Sequence, residues 1–159
     1  TLNKEFLLFG YNPPSPYKQI DLLRVVRSQF KFPSNKLDYV SQRLGLGKKT
    51  EHAGMELWTK CMKGDNDAWK IMESYNIQDV VLLESLYSTL LPWIKSHPNH
   101  NLYTSDTVCP TCSGHRLQKR GTAVSITGTY QRYQCKACGS WSQATKSEKT
   151  HKAEVKGLA

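Results

Sequence analysis

The chain has 159 residues, a mean hydropathy of −0.56 and a formal net charge of +9. That length holds one compact domain plus a small appendage. No apolar run approaches the ~18 residues of a membrane span, and no secretory leader is visible, so the expected location is cytoplasmic. The charge is uneven: residues 1–103 carry 13 Lys and Arg against 10 Asp and Glu, whereas residues 104–159 carry 9 against 3. A basic excess of this kind points to a polyanionic partner, most simply nucleic acid. A merely soluble surface is the plainer alternative.

In chain order, residues 3–9 read as an amphipathic helix stopped by Gly10 and by the Pro13-Pro14-Ser15-Pro16 loop. Residues 18–21 read as extended, and Asp21 is placed to cap a helix from Leu22 to Phe30 with Leu22, Leu23, Val26 and Phe30 on one face. A further helix opens at Pro33-Ser34-Asn35, with Leu37, Val40 and Leu44 on a shared face and Gly45 at its end. Residues 46–54 read as loop and residues 56–62 as a short helix. Cys61, with no partner at ligand spacing, reads as a small buried apolar residue. Asp65-Asn66-Asp67 caps the longest helical pattern, which runs to Pro92 with a break near Asn76 left open. Residues 95–108 read as linker, with His97 and His100 as solvated residues. Residues 117–120, 123–126 and 130–134 alternate like strands, with turns at Gly121 and Gly128. The Lys-rich tail reads as disordered.

Four cysteines dominate the C-terminal third. Cys109-x2-Cys112 and Cys135-x2-Cys138 sit on tight turns with 22 residues between them, enough for a hairpin that brings the turns together. Two such knuckles can direct four thiolates at one tetrahedral ion, and Zn²⁺ suits that site in charge, softness and geometry. The competing reading, two disulfides, requires an oxidising compartment of which the chain gives no sign. His115 is an alternative ligand that four thiolates make unnecessary. Around the cysteines lie Arg116, Lys119, Arg120 and Arg132, with Tyr130, Tyr133 and Trp141 interleaved. Cations for phosphates and rings for unpaired bases are what single-strand binding requires. Some of these rings could instead cover the small core that the metal organises.

Tyr75 and Asp79 stand four apart and share one face of the long helix. The segment Tyr75-Asn-Ile-Gln-Asp79-Val-Val-Leu-Leu83 resembles the third motif of the DEDD 3′–5′ exonucleases of the tyrosine subclass. The stretches Pro14 to Leu23, Phe32 to Val40 and Leu44 to Lys48 are similar to phage-encoded members with a trailing zinc ribbon. The resemblance implies a ribonuclease H-like fold, of which this chain is the C-terminal, mostly α part, followed by a small β zinc ribbon. The boundaries it implies are a helical part at 1–95, a linker at 96–108, a zinc ribbon at 109–142 and a basic disordered tail at 143–159. It also implies two-metal hydrolysis of DNA, with Asp79 on Mg²⁺ or Mn²⁺ and Tyr75 orienting water, in host cytoplasm if phage-encoded.

The family's Asp-x-Glu pair and second-motif aspartate have no counterpart here, and no Asp-x-Glu triplet occurs among the 159 residues. Asp79 cannot hold two ions alone, so the missing carboxylates must come from elsewhere. Asp21 and Asp38 read as a cap and a helix-dipole partner rather than as replacements. The expected partners are therefore single-stranded DNA, a second chain supplying the N-terminal half or a self-associated oligomer, and no membrane. Self-association would use an apolar face near Val80, Leu83 and Leu86. The alternative function is a non-catalytic nucleic-acid-binding or protein-interaction module.

Overall fold

Side-chain caps open two of the α-helices in the computed structural model, which describes residues 2–49, 54–126 and 128–148. Helix α1 (Leu2–Leu8) buries no side chain. Asp21 opens α2 (Leu22–Gln29), its carboxylate accepting the N–H groups of Leu23 at 2.9 Å and Arg24 at 3.3 Å. It thereby meets two donors that a helix start leaves unsatisfied. Helix α3 (Leu37–Arg43) and helix α4 (Met55–Met62) are short. Helix α5 (Asn66–Leu90) runs unbroken for 25 residues from the Asp65 cap, so Asn76 interrupts nothing. Its carboxamide instead donates to the Met72 carbonyl at 3.0 Å, a bond compatible with a continuous helix.

Helix α5 is the spine. Its C-terminal half buries Leu86 and Leu90 against Leu22 and Val26 of α2, Val40 of α3 and Ile94. Its N-terminal half buries Ala68 and Met72 against Leu57 and Cys61 of α4, with Tyr75 packed on that cluster. Val26 and Val40 are almost wholly inaccessible, and full burial of such side chains contributes about 1.5–3 kcal/mol each. Leu86, expected on an open apolar face, belongs to this core. The large apolar residues of α5 that stay exposed are Trp69, Ile71, Ile77, Val80, Val81 and Leu83. No helix among the described residues is long and apolar enough to cross a membrane.

A three-stranded antiparallel sheet, β1 (Leu117–Ser125), β2 (Gly128–Cys135) and β3 (Trp141–Gln143), follows in the order β1-β2-β3. The chain is therefore mostly α with a small β region. Gly121 is not a turn between two strands. It sits in β1 at a register shift between Lys119 and Thr122, with φ of 67°, where a bulge needs a left-handed residue. The order continues past the expected boundary at 143. Ala144 N–H donates to the Gln131 carbonyl at 2.9 Å and Glu148 N–H to the Thr129 carbonyl at 2.8 Å. The rest of the tail lies outside the described residues.

The expected linker is a structured joint. Tyr87 of α5 meets His97 Nε2 at 2.7 Å, the His97 ring stacks on His100 with centroids 5.3 Å apart, and His100 Nδ1 meets Ser113 Oγ at 3.1 Å. Both histidines are partly buried rather than solvated. A short 3₁₀ helix, His100–Tyr103, carries the chain from there toward the sheet.

Candidate functional site

Tyr75 and Asp79 lie one turn apart on α5, and the loop after α3 crosses over them. Asp38 Oδ1 accepts the backbone N–H of Lys49 at 2.8 Å, and Gln78 Nε2 donates to the Lys48 carbonyl at 3.4 Å. So fixed, Lys49 reaches back across 30 positions of sequence. Its ammonium donates to Asp79 Oδ2 at 2.5 Å and to the Tyr75 hydroxyl at 3.2 Å. The hydrogen bond that Lys49 donates to Asp79, and then the one it donates to Tyr75, hold the Lys49 pKa above its ordinary value against the effect of burial. Asp38 is held below the usual carboxylate range by the Lys49 N–H and then by Gln42. Asp38 thus positions a loop, and Asp21 caps a helix. The sequence places Lys49 in a loop, and a lysine in a Gly-Lys-Lys loop shows nothing of where its side chain will end.

The other oxygen of Asp79, Oδ1, is buried and has no hydrogen-bond partner among the described residues. A buried carboxylate oxygen without a partner costs on the order of 1–3 kcal/mol. It is the orphaned acceptor that a cation would satisfy, so Asp79 fits a divalent ion. It is a single acid, however: among the described residues the one group of three or more close ligating side chains is the four-cysteine set.

That set has metal-site dimensions. Cys109 Sγ lies 3.7 Å from Cys138 Sγ, Cys112 Sγ lies 3.7 Å from Cys135 Sγ, and all four sulfurs fall within 4.8 Å of one another. A tetrahedron with Zn–S bonds of about 2.3 Å has sulfur–sulfur edges of about 3.8 Å. None of these cysteines is in a disulfide. The two knuckles share one backbone design. Cys109 N–H donates to the Gly114 carbonyl and Cys135 N–H to the Ser140 carbonyl, both at 2.9 Å. Ser113 and Gly139 N–H groups return to the Cys109 and Cys135 carbonyls at 3.0 Å. The returning residue is left-handed in each, φ 59° at Ser113 and 79° at Gly139. Thr111 and Ala137 N–H groups point at the Cys109 and Cys135 sulfurs at 3.4 Å, as donors to thiolates do.

Burial raises the Cys109 thiol and pushes Cys112 up to about 12. At Cys135 burial also acts upward, but the N–H groups of Cys138 and Ala137 and the Cys112 and Cys109 thiols together bring it down to about 7. One thiolate is favoured while its neighbours resist ionisation. The four cysteines could bind a metal such as zinc. Gly114 sits against them: a Cβ there would lie 3.3 Å from Cys112 Sγ and from Ala137 Cβ, and 3.5 Å from Cys135 Sγ. Gly114→Ala is therefore expected to weaken zinc binding by about 5- to 150-fold, from an overpacking cost of about 1–3 kcal/mol. Competition against a chromogenic chelator measures it, and unchanged affinity would show that the knuckle shifts freely.

The expected nucleic-acid residues fall on two faces of the sheet. Side chains alternate along β2, so Tyr130 and Arg132 face one way and Tyr133 the other. Trp141 pairs with Gln134, and its ring lies 5.7 Å from the Arg132 guanidinium carbon, within cation–π range. On the opposite face Tyr133 stands across from Lys119 and Ser142. Arg116, Lys119 and Arg120 are exposed, Arg120 within the bulge. The strand therefore offers one stacked Arg–Trp pair and, separately, a Tyr–Lys pair.

A family model of the RNase H superfamily matches residues 1–91. No curated protein and no solved structure matches the chain.

Proposed function

The chain belongs to the RNase H superfamily, and on that premise we propose that it is part of a 3′–5′ exonuclease of the tyrosine DEDD subclass, acting on DNA, with a zinc ribbon that holds single-stranded nucleic acid. The observation that carries this is the Tyr75–Asp79 pair, one turn apart, with Asp79 Oδ1 buried and unsatisfied. Asp79 would hold Mg²⁺ or Mn²⁺ together with carboxylates supplied from outside residues 1–159. The metals of such a site activate water and stabilise the leaving oxygen. Packing against the Met72 cluster steadies the Tyr75 ring, and its hydroxyl, 3.2 Å from Lys49, is restrained to a position from which it can orient a water. Lys49 adds a cation beside the reacting charge.

A second reading, a non-catalytic binding module, is favoured by one observation: Lys49 already neutralises Asp79. A Mg²⁺-dependent digestion of single-stranded DNA decides between them. The chain alone is expected to show little activity. A form completed in cis or in trans with an Asp-x-Glu strand and a second-motif aspartate should digest from the 3′ end. Asp79→Asn in that form should lower the rate at least about 100-fold, corresponding to about 2.7 kcal/mol of transition-state stabilisation. Inactivity of the completed form supports the binding module. Robust digestion by the chain alone, abolished by Asp79→Asn, would mean that other acids form the site.

A further inference from the structure

A cleft of about 380 Å³ opens where the segment before the first knuckle meets the sheet, within the ~300–1,000 Å³ usual for small-molecule sites. Its walls include Asn99, Asn101, Val108, Pro110, Tyr133 and Lys146. Asn99 Oδ1 accepts the Asn101 N–H and Asn101 Oδ1 accepts the Val108 N–H, both at 3.0 Å. Only the oxygen of a carboxamide can accept, so both amide nitrogens are left as donors, and neither has a partner among the described residues. Among the described residues Lys146 is the one charged residue on the wall, and none of them brings a carboxylate to it. Val108 and Pro110 supply apolar surface, and the Tyr133 ring is half-buried there.

A wall of donors, one cation, one ring and a small apolar patch suits a ligand that is flat, rich in acceptors and anionic. We propose that this cleft binds a single unpaired nucleotide, its base against Tyr133 with carbonyl acceptors toward the Asn99 and Asn101 amides, and its phosphate near Lys146. Thymine, uracil and guanine present such carbonyls; adenine places an amino donor on the same edge. The cleft should therefore prefer the carbonyl-bearing bases over adenine. Pro110 belongs to the first knuckle, so metal loading shapes one wall. The inference rests on the nucleic-acid reading of the ribbon and not on cleavage.

The test measures binding of the zinc-loaded full chain, without added Mg²⁺, to a fluorescent oligothymidylate and an oligoadenylate of equal length. Asn99→Asp and Asn101→Asp keep the oxygen that accepts the backbone N–H, so local folding is retained while a donor becomes an anionic acceptor. Gln118→Glu makes the same charge change on an exposed strand position outside the cleft. The parent should favour oligothymidylate. Each Asn→Asp variant should lose at least about tenfold in affinity for it, the worth of one charged or buried hydrogen bond, and should lose the base preference. Gln118→Glu should lose no more than about twofold, as a screened surface charge. Tyr133→Leu should cost about 5- to 150-fold by loss of stacking. Asn→Asp variants indistinguishable from Gln118→Glu would overturn the cleft while leaving the ribbon a nucleic-acid binder. No binding of either oligonucleotide at low salt would overturn both. Intact base-selective binding with no cleavage by the completed form would leave the cleft standing and remove the exonuclease reading.

Discussion

Cys112→Ser is expected to abolish zinc binding and unfold the ribbon while the helical part stays folded. Between Thr104 and Glu148 the buried residues among those described are Val108, Cys109, Cys135 and Ser140, two of them cysteines of the candidate metal set. Such a core buries too little apolar surface to offset the backbone entropy of forty-odd ordered residues, about 1–2 kcal/mol each. Structural zinc in small modules supplies on the order of 10–16 kcal/mol, and loss of one thiolate of four removes much of it. The helical part has its own core at Leu22, Val26, Val40, Leu86, Leu90 and Ile94, and should retain most of its helical signal. Metal analysis should give one zinc per parent chain and close to none in Cys112→Ser. Limited tryptic digestion should then open the variant at Arg116, Lys119 and Arg120. Cys61→Ser is the control: Cys61 packs beside Leu57, Ala68 and Met72, remote in kind from the metal set, so that variant should keep its zinc. Freshly purified, reduced parent protein without zinc would remove the metal reading.

The helices and the four-cysteine set were legible because their signals are local. Asp21 and Asp65 announce helix starts with side chains that need only the next two or three N–H groups. The paired Cys-x2-Cys turns carry their geometry in their spacing. What stayed hidden depends on distant partners. Lys49 reaches Asp79 only because Asp38 and Gln78 pin the loop that carries it. His97 and His100 look solvated until Tyr87 and Ser113 are brought to either end of their stack. Leu86 could not be separated from Leu83 by periodicity, since both fall near one stripe; the arrival of α2 and α3 buries one at 3% exposure and leaves the other at 46%. Strand β3 spans three residues, too few to alternate visibly. The split of Tyr133 from Tyr130 and Arg132 was, by contrast, available from the two-residue period of a strand.

Lys49→Met should destabilise the helical part and make its stability dependent on divalent cations. Removing one member of a fully buried ion pair costs about 3–5 kcal/mol, because the other charge is left without a partner. Here the side chains are 30% and 24% exposed, so water screens part of the loss and about 2 kcal/mol is the expected cost. On the exonuclease reading, the ammonium and a metal ion would compete for the same carboxylate. In the parent, an ion at Asp79 Oδ1 would meet the repulsion of the Lys49 ammonium held at Oδ2, and thermal unfolding should respond weakly to Mg²⁺. In Lys49→Met the carboxylate has lost its cation and Oδ1 remains unsatisfied, so Mg²⁺ or Mn²⁺ at ten times its dissociation constant should restore about 1.4 kcal/mol. Lys49→Arg separates charge from packing. It keeps the cation, so it should be less destabilised than Lys49→Met and should show little rescue by Mg²⁺. Asp79→Asn closes the comparison: with the carboxylate gone, no divalent response should remain in either background. Thermal denaturation of the five proteins across Mg²⁺ and Mn²⁺ concentrations reads out each step, with Ca²⁺-free buffer and constant ionic strength so that screening does not vary. A Lys49→Met variant as stable as the parent would show that the ion pair carries no net stability. One that is destabilised but deaf to Mg²⁺ and Mn²⁺ would show that Asp79 does not hold a divalent ion in this chain, and would favour the binding-module reading.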